Sequence, residues 1–577
     1  MAIKRIRAFA NCDVATIVWQ TDKPIKECRG FALARQLKGN PGISFVPTWV
    51  GFKGEKHKQG ERRPSTEWPI QRYIWSDYGV QAGQEVRYRA TPMIGPAGHL
   101  SMAPRAEWSR WTPWVRVGTG QTNKFEAYFN RGIVPAQWLA RQRPSKESLQ
   151  RDINDTTSRN RIVLSGELRK ALLSLLAQAK NDGVEIYAAL YELNDPELLD
   201  ALKAIGGRCH LLLGSGAYKA ADKKKGTPAV PDENADVRKD LRRHSRVNVY
   251  DRLVRSPHFA HNKFVVFCDA RGEPATLWTG STNWTTTGLC TQVNNGILIE
   301  SPRLAAAYRA RWKELKNAGA GYPPSLAEHG SAPASDSLGG ARVTAWNTPV
   351  LQRVDLADAT KRIKGAAEGV LFLMFNPGPR NTLLNVILGL DASNLFIHGI
   401  VNQDPGGTRA PLVKLTHKGK RLPVKRLAVI LPAGLQRAGS WFDKTFEFNR
   451  VMIHSKIVVL DPFGDHPVVM TGSHNLGPKA SAKNDDNLVI IADAPGLAAE
   501  YAVNILGVYG HYKWLYNQSL KHTTGPRTGA RSSPQYDGNF DDDKWQAWYT
   551  RGANLREIEF WLGSVRSFRA AREKLPS

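Results

Sequence analysis

HNKFVVFCDARGEPATLWTGSTNW (residues 261–284) and HSKIVVLDPFGDHPVVMTGSHN (residues 454–475) are two versions of one device. In each, an HxK triplet leads into an apolar run, a polar hairpin follows, and a second run ends in G-S-x-N. The two histidines stand 193 positions apart. Side chains alternate along a strand, so His261 and Lys263 share a face, as do His454 and Lys456. Phe264, Val265, Val266 and Phe267 read as a fully buried strand, and Ile457, Val458, Val459 and Leu460 do the same in the second copy. The hairpin returns the chain, which brings Ser281 and Asn283 beside His261, and Ser473 and Asn475 beside His454. Gly280 and Gly472 allow the backbone to turn or to approach a ligand closely.

Two imidazoles and two ammonium groups gathered at one point, with no acidic cluster to hold a metal, suit attack on a phosphodiester. One imidazole is the nucleophile and the other the general acid, while the lysines hold the anionic oxygens. The hydroxyl and amide groups of Ser281, Asn283, Ser473 and Asn475 bond phosphate oxygens without adding charge.

These residues resemble the phospholipase D superfamily, whose mark is two HxK(x4)D…GSxN motifs in one chain. The resemblance covers roughly residues 155–515. The second copy fits fully, with His454, Lys456 and Asp461. In the first copy Cys268 occupies the aspartate slot and Asp269 comes one residue late. Tyrosyl-DNA phosphodiesterases of the superfamily also lack those aspartates. The resemblance implies a phosphohistidine intermediate on His261, with His454 as the acid, and no cofactor or metal. It also implies a hydrogen-bond partner for each catalytic imidazole. Aligning CTQVNNGILIE with KNDDNLVIIAD on their apolar runs assigns those places to Asn295 and Asp486. Such a partner fixes the tautomer and, if anionic, stabilises the imidazolium. Whether each acts within its own half or across the interface stays open.

Around both motifs the pattern alternates strand and helix twice. SGELRKALLSLLAQAKND, DPELLDALKAIGG and PRLAAAYRARWKELKN read as helices of the first half, with Asp195 as a cap. VEIYAALYEL and CHLLLGSG read as its strands. DLADATKRIKGAAE, GVLFLMFN, RNTLLNVILGL and NLFIHGIV repeat the plan, so the chain holds an internal repeat. The expected fold is multidomain: an N-terminal all-β sandwich over residues 1–145, then a bilobal α/β phospholipase D-like unit with halves at 155–330 and 341–515. A tail at 516–577 carries an aromatic helix that packs back on the body. Residues 146–160, 331–340 and 523–543 are small and polar and read as linkers.

The first 145 residues hold short alternating runs (DVATIVWQT, CRGFALARQ, EVRYRATPMIG, WVRVGT). Trp19 and this strand spacing resemble a fibronectin type III or similar immunoglobulin-like sandwich. Trp108, Trp111 and Trp114, interleaved with Arg110, are either sandwich core or a stacking platform for bases or sugars.

The net charge is +28, and residues 1–150 hold 24 Lys and Arg against 11 Asp and Glu. A field of this size favours a polyanionic partner. Residues 402–426 hold seven Lys or Arg against one Asp. Within them Lys418, Lys420, Arg421 and Lys425 are candidate nucleic-acid contacts. The absence of a long apolar run argues against membrane insertion. Five cysteines without a CxxC pair, and an N-terminus that reads as a strand, suit the cytoplasm. The sequence therefore points to a nuclease acting on DNA or RNA. The alternatives are a phospholipase D working on lipid headgroups, and a nucleic-acid-binding protein with an inactive site.

Overall fold

The protein is described by a computed structural model, which covers residues 2–56, 58, 61–119, 124–132, 146–216, 232–391, 395–402, 427–430, 452–523 and 538–563. Two mixed sheets dominate it. The first has seven strands in the order Phe125–Phe129, Asn295–Glu300, Pro274–Gly280, Lys263–Cys268, Ile186–Leu190, Cys209–Leu213 and Asn248–Asp251. The second has eight, in the order Ala334–Leu338, Ala341–Asn347, Asn487–Ala492, Val468–Gly472, Lys456–Leu460, Gly369–Met374, Phe396–Val401 and Leu427–Ile430. Each HxK strand thus sits in mid-sheet, buried on both faces, between its own hairpin partner and the first strand of the β/α repeat. That is why Phe264–Phe267 and Ile457–Leu460 can be apolar at every position.

Helices cover the sheets. Ser158 caps Arg159–Asp182, Asp195 caps Pro196–Ile205 through the Leu198 N–H, and Ser301 caps Pro302–Ala318 through the Leu304 N–H. Each cap satisfies a backbone donor that has no partner inside the helix.

The halves are joined by a reciprocal pair of short parallel bridges. Phe259–Ala260, just before the first HxK, pairs with Asn484–Asp485 of the second half. Gln292–Val293 of the first half pairs with Met452–Ile453, just before the second HxK. Consequently His261 N–H donates to Asp485 O and His454 N–H donates to Val293 O, each at 3.0 Å. The exchange makes a pseudo-twofold relation between the halves. Arg252 reinforces it, donating from Nε to Asp485 Oδ2 at 2.8 Å and from Nη1 to the carbonyls of Gly319 and Gly321. Both Arg252 and Asp485 are fully buried.

The N-terminal region forms two β-sheets. One orders Ile3–Ala10, Ala15–Thr21 and Ile74–Asp77; the other orders Val115–Arg116, Glu85–Ile94, Cys28–Leu37 and Ile43–Phe45, with Ser101–Met102 beside Glu85–Ile94. Phe31 packs edge-on against Trp19 and Tyr73 in this region. Trp108, Trp111 and Trp114 are not in this core: the first two are half-buried and Trp114 is exposed.

Several expected boundaries move. Phe125–Phe129 belongs to the first large sheet, paired with Asn295–Glu300, not to the N-terminal sheets. Residues 146–160 are not a linker. Lys146–Asn154 is a helix, with Leu149 and Ile153 buried, and the next helix starts at Arg159. Residues 331–340 are not a linker either, because Ala334–Leu338 pairs with Ala341–Asn347 as an edge strand. On this edge strand partly buried and exposed positions alternate and none is fully buried, so few apolar side chains are needed and its small polar composition reads as a loop. Of the third expected linker, residues 538–543 are pinned: Asn539 donates to Val50 O and Pro69 O. The tail does pack back. Trp545 lies against Phe31 and Tyr73, and Phe560 stacks on Phe396 at 4.3 Å. All five cysteines are buried and unpaired. Among the described residues no helix is long and apolar enough to cross a membrane.

Candidate active site

His261 and His454 each stand one step before a mid-sheet strand, at the seam between the halves. Both are buried, with exposures of 6% and 3%. Lys263 and Lys456 follow on the same faces. Each folds its ammonium back onto the carbonyl of its own histidine: Lys263 Nζ to His261 O at 2.7 Å, Lys456 Nζ to His454 O at 2.5 Å. Each ammonium also sits over an aromatic ring from the neighbouring strand end, Tyr191 at 4.9 Å and Phe375 at 4.8 Å. The same rings lie 4.7 Å from the His261 and His454 imidazoles. Tyr191 and Phe375 therefore wall matching sides of the site and pack against the imidazole and the ammonium of each half.

Gly280 and Gly472 end the returning strands with φ of 148° and 140°. A β-carbon on either would lie 2.3 Å from the carbonyl oxygen of Asn295 or Asn487, so no other residue fits. The turn delivers Asn283 and Asn475, whose Oδ1 atoms are buried and accept no hydrogen bond from the described residues.

The imidazole partners come from across the seam. Asp486 Oδ1 of the second half lies 2.7 Å from His261 Nδ1 of the first. Asn294 Oδ1 of the first half lies 2.9 Å from His454 Nδ1 of the second. Asp486 meets the expectation, but Asn295 does not: its Nδ2 donates to Thr471 Oγ1 and Tyr501 OH instead. The alignment slips by one. Gly280 pairs with Gly296 and Gly472 with Leu488, so Asn295 matches Asn487, and Asn294 matches Asp486. The slip arises because an Asn doublet faces an Asp doublet, and apolar content alone does not set their register.

Ser281 donates to Asn294 Oδ1 at 2.8 Å, and Asn294 spends its Nδ2 on Gly288 O. The carbonyl end of Asn294 is therefore held towards His454, which fixes the proton on Nδ1. Asn130 Oδ1 takes the Asn294 N–H, while Thr348 Oγ1 takes the Asp486 N–H. Ser473 accepts from the N–H of Asn487. Asp461 lies at the opposite end of its strand from His454. It accepts the N–H groups of Ala367, Glu368 and Gly369 at 2.7–2.8 Å, so this motif residue supports the backbone and does not touch His454. Asp269 likewise closes its hairpin, accepting from Arg271 and Glu273.

One acidic residue joins the site unannounced by the motifs. Glu192 Oε2 accepts from Asn283 Nδ2 at 2.7 Å, and the residue is buried. Its charge bears on both Lys263 and Lys456. The matching position in the second half is Asn376, two residues past Met374 as Glu192 is two past Leu190. The site is thus lopsided, with both carboxylates serving His261 and Asn283.

Burial and mutual repulsion govern the protons. Burial pushes His261 down to about 4, against the pull of Asp486, while Lys263 and Lys456 push it further. Burial, Lys456, Lys263 and His261 all hold His454 well below its ordinary value. Burial brings Lys263 down to about 8 and Lys456 well below the usual ammonium range. Burial works to raise Asp486, but His261 and Lys263 outweigh it and keep the carboxyl ionised. Two ammonium groups and two imidazoles pressed together await an anion. A bound phosphodiester would favour every cationic form.

A family described as cardiolipin synthase, PLD-like domain, matches residues 152–316 and 360–506, more than half of the chain. The chain belongs to the phospholipase D superfamily. The matched ranges hold one HxK…GSxN set each. Solved structures to which the chain shows similarity include phosphatidylserine synthase from Haemophilus influenzae, 15% identical, covering 60% of this chain and 85% of that one, TM-score 0.39. Yeast tyrosyl-DNA phosphodiesterase is 12% identical, with 55% and 84% covered and a TM-score of 0.30. Nuc, a phospholipase D family member from Salmonella typhimurium, is 16% identical, with 31% and 95% covered and a TM-score of 0.19. No curated protein sequence matches significantly. The four basic residues Lys418, Lys420, Arg421 and Lys425 fall outside the described residues.

Proposed function

We propose that this phospholipase D superfamily member is a metal-independent phosphodiesterase acting on nucleic acid through a phosphohistidine on His261. The observation that carries the reading is the unequal pair of Nδ1 partners, a carboxylate on His261 and an amide on His454. Both partners leave Nε2 as the reactive nitrogen. When His261 Nε2 attacks phosphorus, the ring becomes cationic, and the Asp486 carboxylate stabilises that charge. Asn294 gives His454 no such support, so its imidazolium gives up a proton more readily. His454 Nε2–H protonates the leaving oxygen as the P–O bond breaks. It then takes a proton from water, whose oxygen attacks phosphorus while the P–N bond electrons return to His261. Lys263, Lys456, Asn283 and Asn475 hold the equatorial oxygens.

The net charge of +28 supports a nucleic-acid substrate. The family description supports a second reading, transfer or hydrolysis at a phospholipid headgroup. Incubation with plasmid, single-stranded DNA, RNA and phosphatidylcholine vesicles, all in excess EDTA, separates the two. Cleavage of a nucleic acid is the expected result. Headgroup release without nucleic-acid cleavage would establish the lipid reading. Loss of all activity in EDTA, restored by magnesium, would sink the two-histidine mechanism.

We read the N-terminal region as a fibronectin III-like sandwich. Counting its seven main strands in chain order, the sheets run 1-2-5 and 7-6-3-4, which supports a two-sheet sandwich with crossed connections.

A further inference from the structure

The three tryptophans of EWSRWTPW do not fill the N-terminal core. Their segment runs alongside Glu85–Ile94, with Ser109 N–H donating to Ala90 O and Thr112 N–H to Tyr88 O. Ser109 and Thr112 also turn their hydroxyls inward to accept the N–H groups of Ala90 and Tyr88. A repeat of three in extended chain then sends Trp108, Trp111 and Trp114 to the opposite, outer side. On the strand beside them Val86, Tyr88 and Ala90 are buried, so Arg87 and Arg89 also face out.

The five side chains interleave. Arg89 lies between Trp108 and Trp111, at 4.6 and 4.7 Å from the ring centres. Arg87 lies between Trp111 and Trp114, at 4.9 and 4.7 Å. Stacking uses the faces of a guanidinium and leaves its N–H edge, the part that binds a phosphate in two-pronged fashion. Arg87 gives part of that edge to Gln36 Oε1. Arg89 donates to no side chain or carbonyl among the described residues, and neither arginine has an ion-pair partner there. Exposed Arg105 and Arg110 flank the row, also without carboxylate partners among the described residues. The acids on this stretch are Glu107 and Glu85, the latter engaged with Lys38. The rings hold the arginines in place, which lowers the entropic cost of ordering them on a ligand.

We propose that this outer face of the N-terminal sheets is a docking surface for single-stranded nucleic acid, separate from the histidine pair. Arginine edges take the phosphates. Trp114, the terminal and most exposed ring, takes a base, which favours an unpaired strand over a duplex. The proposal rests on this face and not on the catalytic reading, and the experiment measures binding alone.

Anisotropy of a fluorescein-labelled single-stranded dT oligonucleotide is titrated with the full chain carrying His261→Ala, at 50 to 200 mM salt. Arg105→Gln with Arg110→Gln, both exposed and not expected to change the melting temperature, tests the charge. Arg89→Gln tests the intercalated arginine. Each phosphate-binding arginine neutralised weakens binding by about fivefold at 0.1 M salt and flattens the log–log salt slope by about 0.7. The same substitutions in the active chain leave turnover of a nitrophenyl phosphodiester unchanged. Unaltered affinity and slope in the Arg105/Arg110 pair, with normal melting, would overturn the proposal whatever Arg89→Gln does to folding. Binding to phosphatidylserine vesicles but not to the oligonucleotide would overturn it in favour of a membrane surface.

Discussion

Asp486 and His261 come from opposite halves of the chain, yet the carboxylate oxygen lies 2.7 Å from the imidazole Nδ1. The counterpart across the pseudo-twofold is a neutral amide, Asn294 against His454. The two halves are thus chemically unequal at these matched positions, and the mechanism we propose gives the two histidines different work on that account.

The inequality predicts opposite shifts in the pH–rate profile. Attack needs neutral His261 and proton donation needs charged His454. Because His454 gives up its proton at lower pH than His261, His454 sets the acid limb and His261 the alkaline limb. Asp486→Asn removes an anion that favours charged His261, so the alkaline limb moves to lower pH while kcat falls by roughly 10²-fold or more. Asn294→Asp adds an anion beside His454, so the acid limb moves to higher pH. Profiles of kcat against pH for both variants check the signs, and two shifts in the same direction would refute the assignment.

Glu192 predicts a third pattern. Its charge raises the pKa of Lys263 and Lys456 against the stronger effect of burial. Glu192→Gln keeps an acceptor for Asn283 but removes that charge, so the lysines deprotonate at lower pH and KM rises sooner on the alkaline side. Glu192→Ala also frees the Asn283 amide and costs a further factor of about ten in kcat. Comparison of kcat and KM for the two variants separates charge from orientation.

Stability of the ligand-free protein should fall on mild acidification. His261 has its folded pKa lowered to about 4 from an ordinary value of 6.5, and His454 is lowered as well. Above about pH 6.5 both states are neutral and nothing is lost. As pH falls towards 4 the unfolded chain takes up protons that the folded site refuses, so stability drops. A His261→Gln, His454→Gln double variant should lose less between pH 6.5 and 4 in urea unfolding. Its remaining loss includes His398 and His511, also depressed by burial. Inorganic phosphate should shift the parent's curve and not the variant's.

The clustering of the two histidines and two lysines was legible in the sequence because its elements are local: HxK and GSxN each span a few residues, and strand alternation places them. Asp486 was legible for the same reason. Asn294 was missed by one residue, since a doublet carries no register of its own. Glu192 was invisible because it is two residues past a strand end and belongs to no motif. Asn130 and the strand Phe125–Phe129 were hidden by distance: a segment preceding residues 146–160 completes the first sheet and holds the Asn294 backbone. Polar residues misled in two places, where an edge strand and a partly exposed helix need few apolar positions.

Arg252→Ala should be far more damaging than its distance from the motifs suggests. It strands Asp485 as a buried, unpaired charge, at a cost of about 3–5 kcal/mol. The bridge of Phe259–Ala260 to Asn484–Asp485 depends on that same residue, so His261 loses its register with Asp486. Urea denaturation and residual kcat, read together, should both fall. Arg252→Ala with Asp485→Ala should recover part of the stability.

The central claim, that the carboxylate-backed histidine carries the covalent intermediate, is tested by trapping phosphorus. In a His454→Ala variant, an activated nitrophenyl phosphodiester needs no acid to leave, yet the intermediate persists because water goes unactivated. Rapid quench and peptide mass spectrometry should find phosphate on His261 in that variant and none in His261→Ala. Phosphate on His454 in the His261→Ala chain, with His261 unmodified in its counterpart, would contradict the account and reverse the two roles.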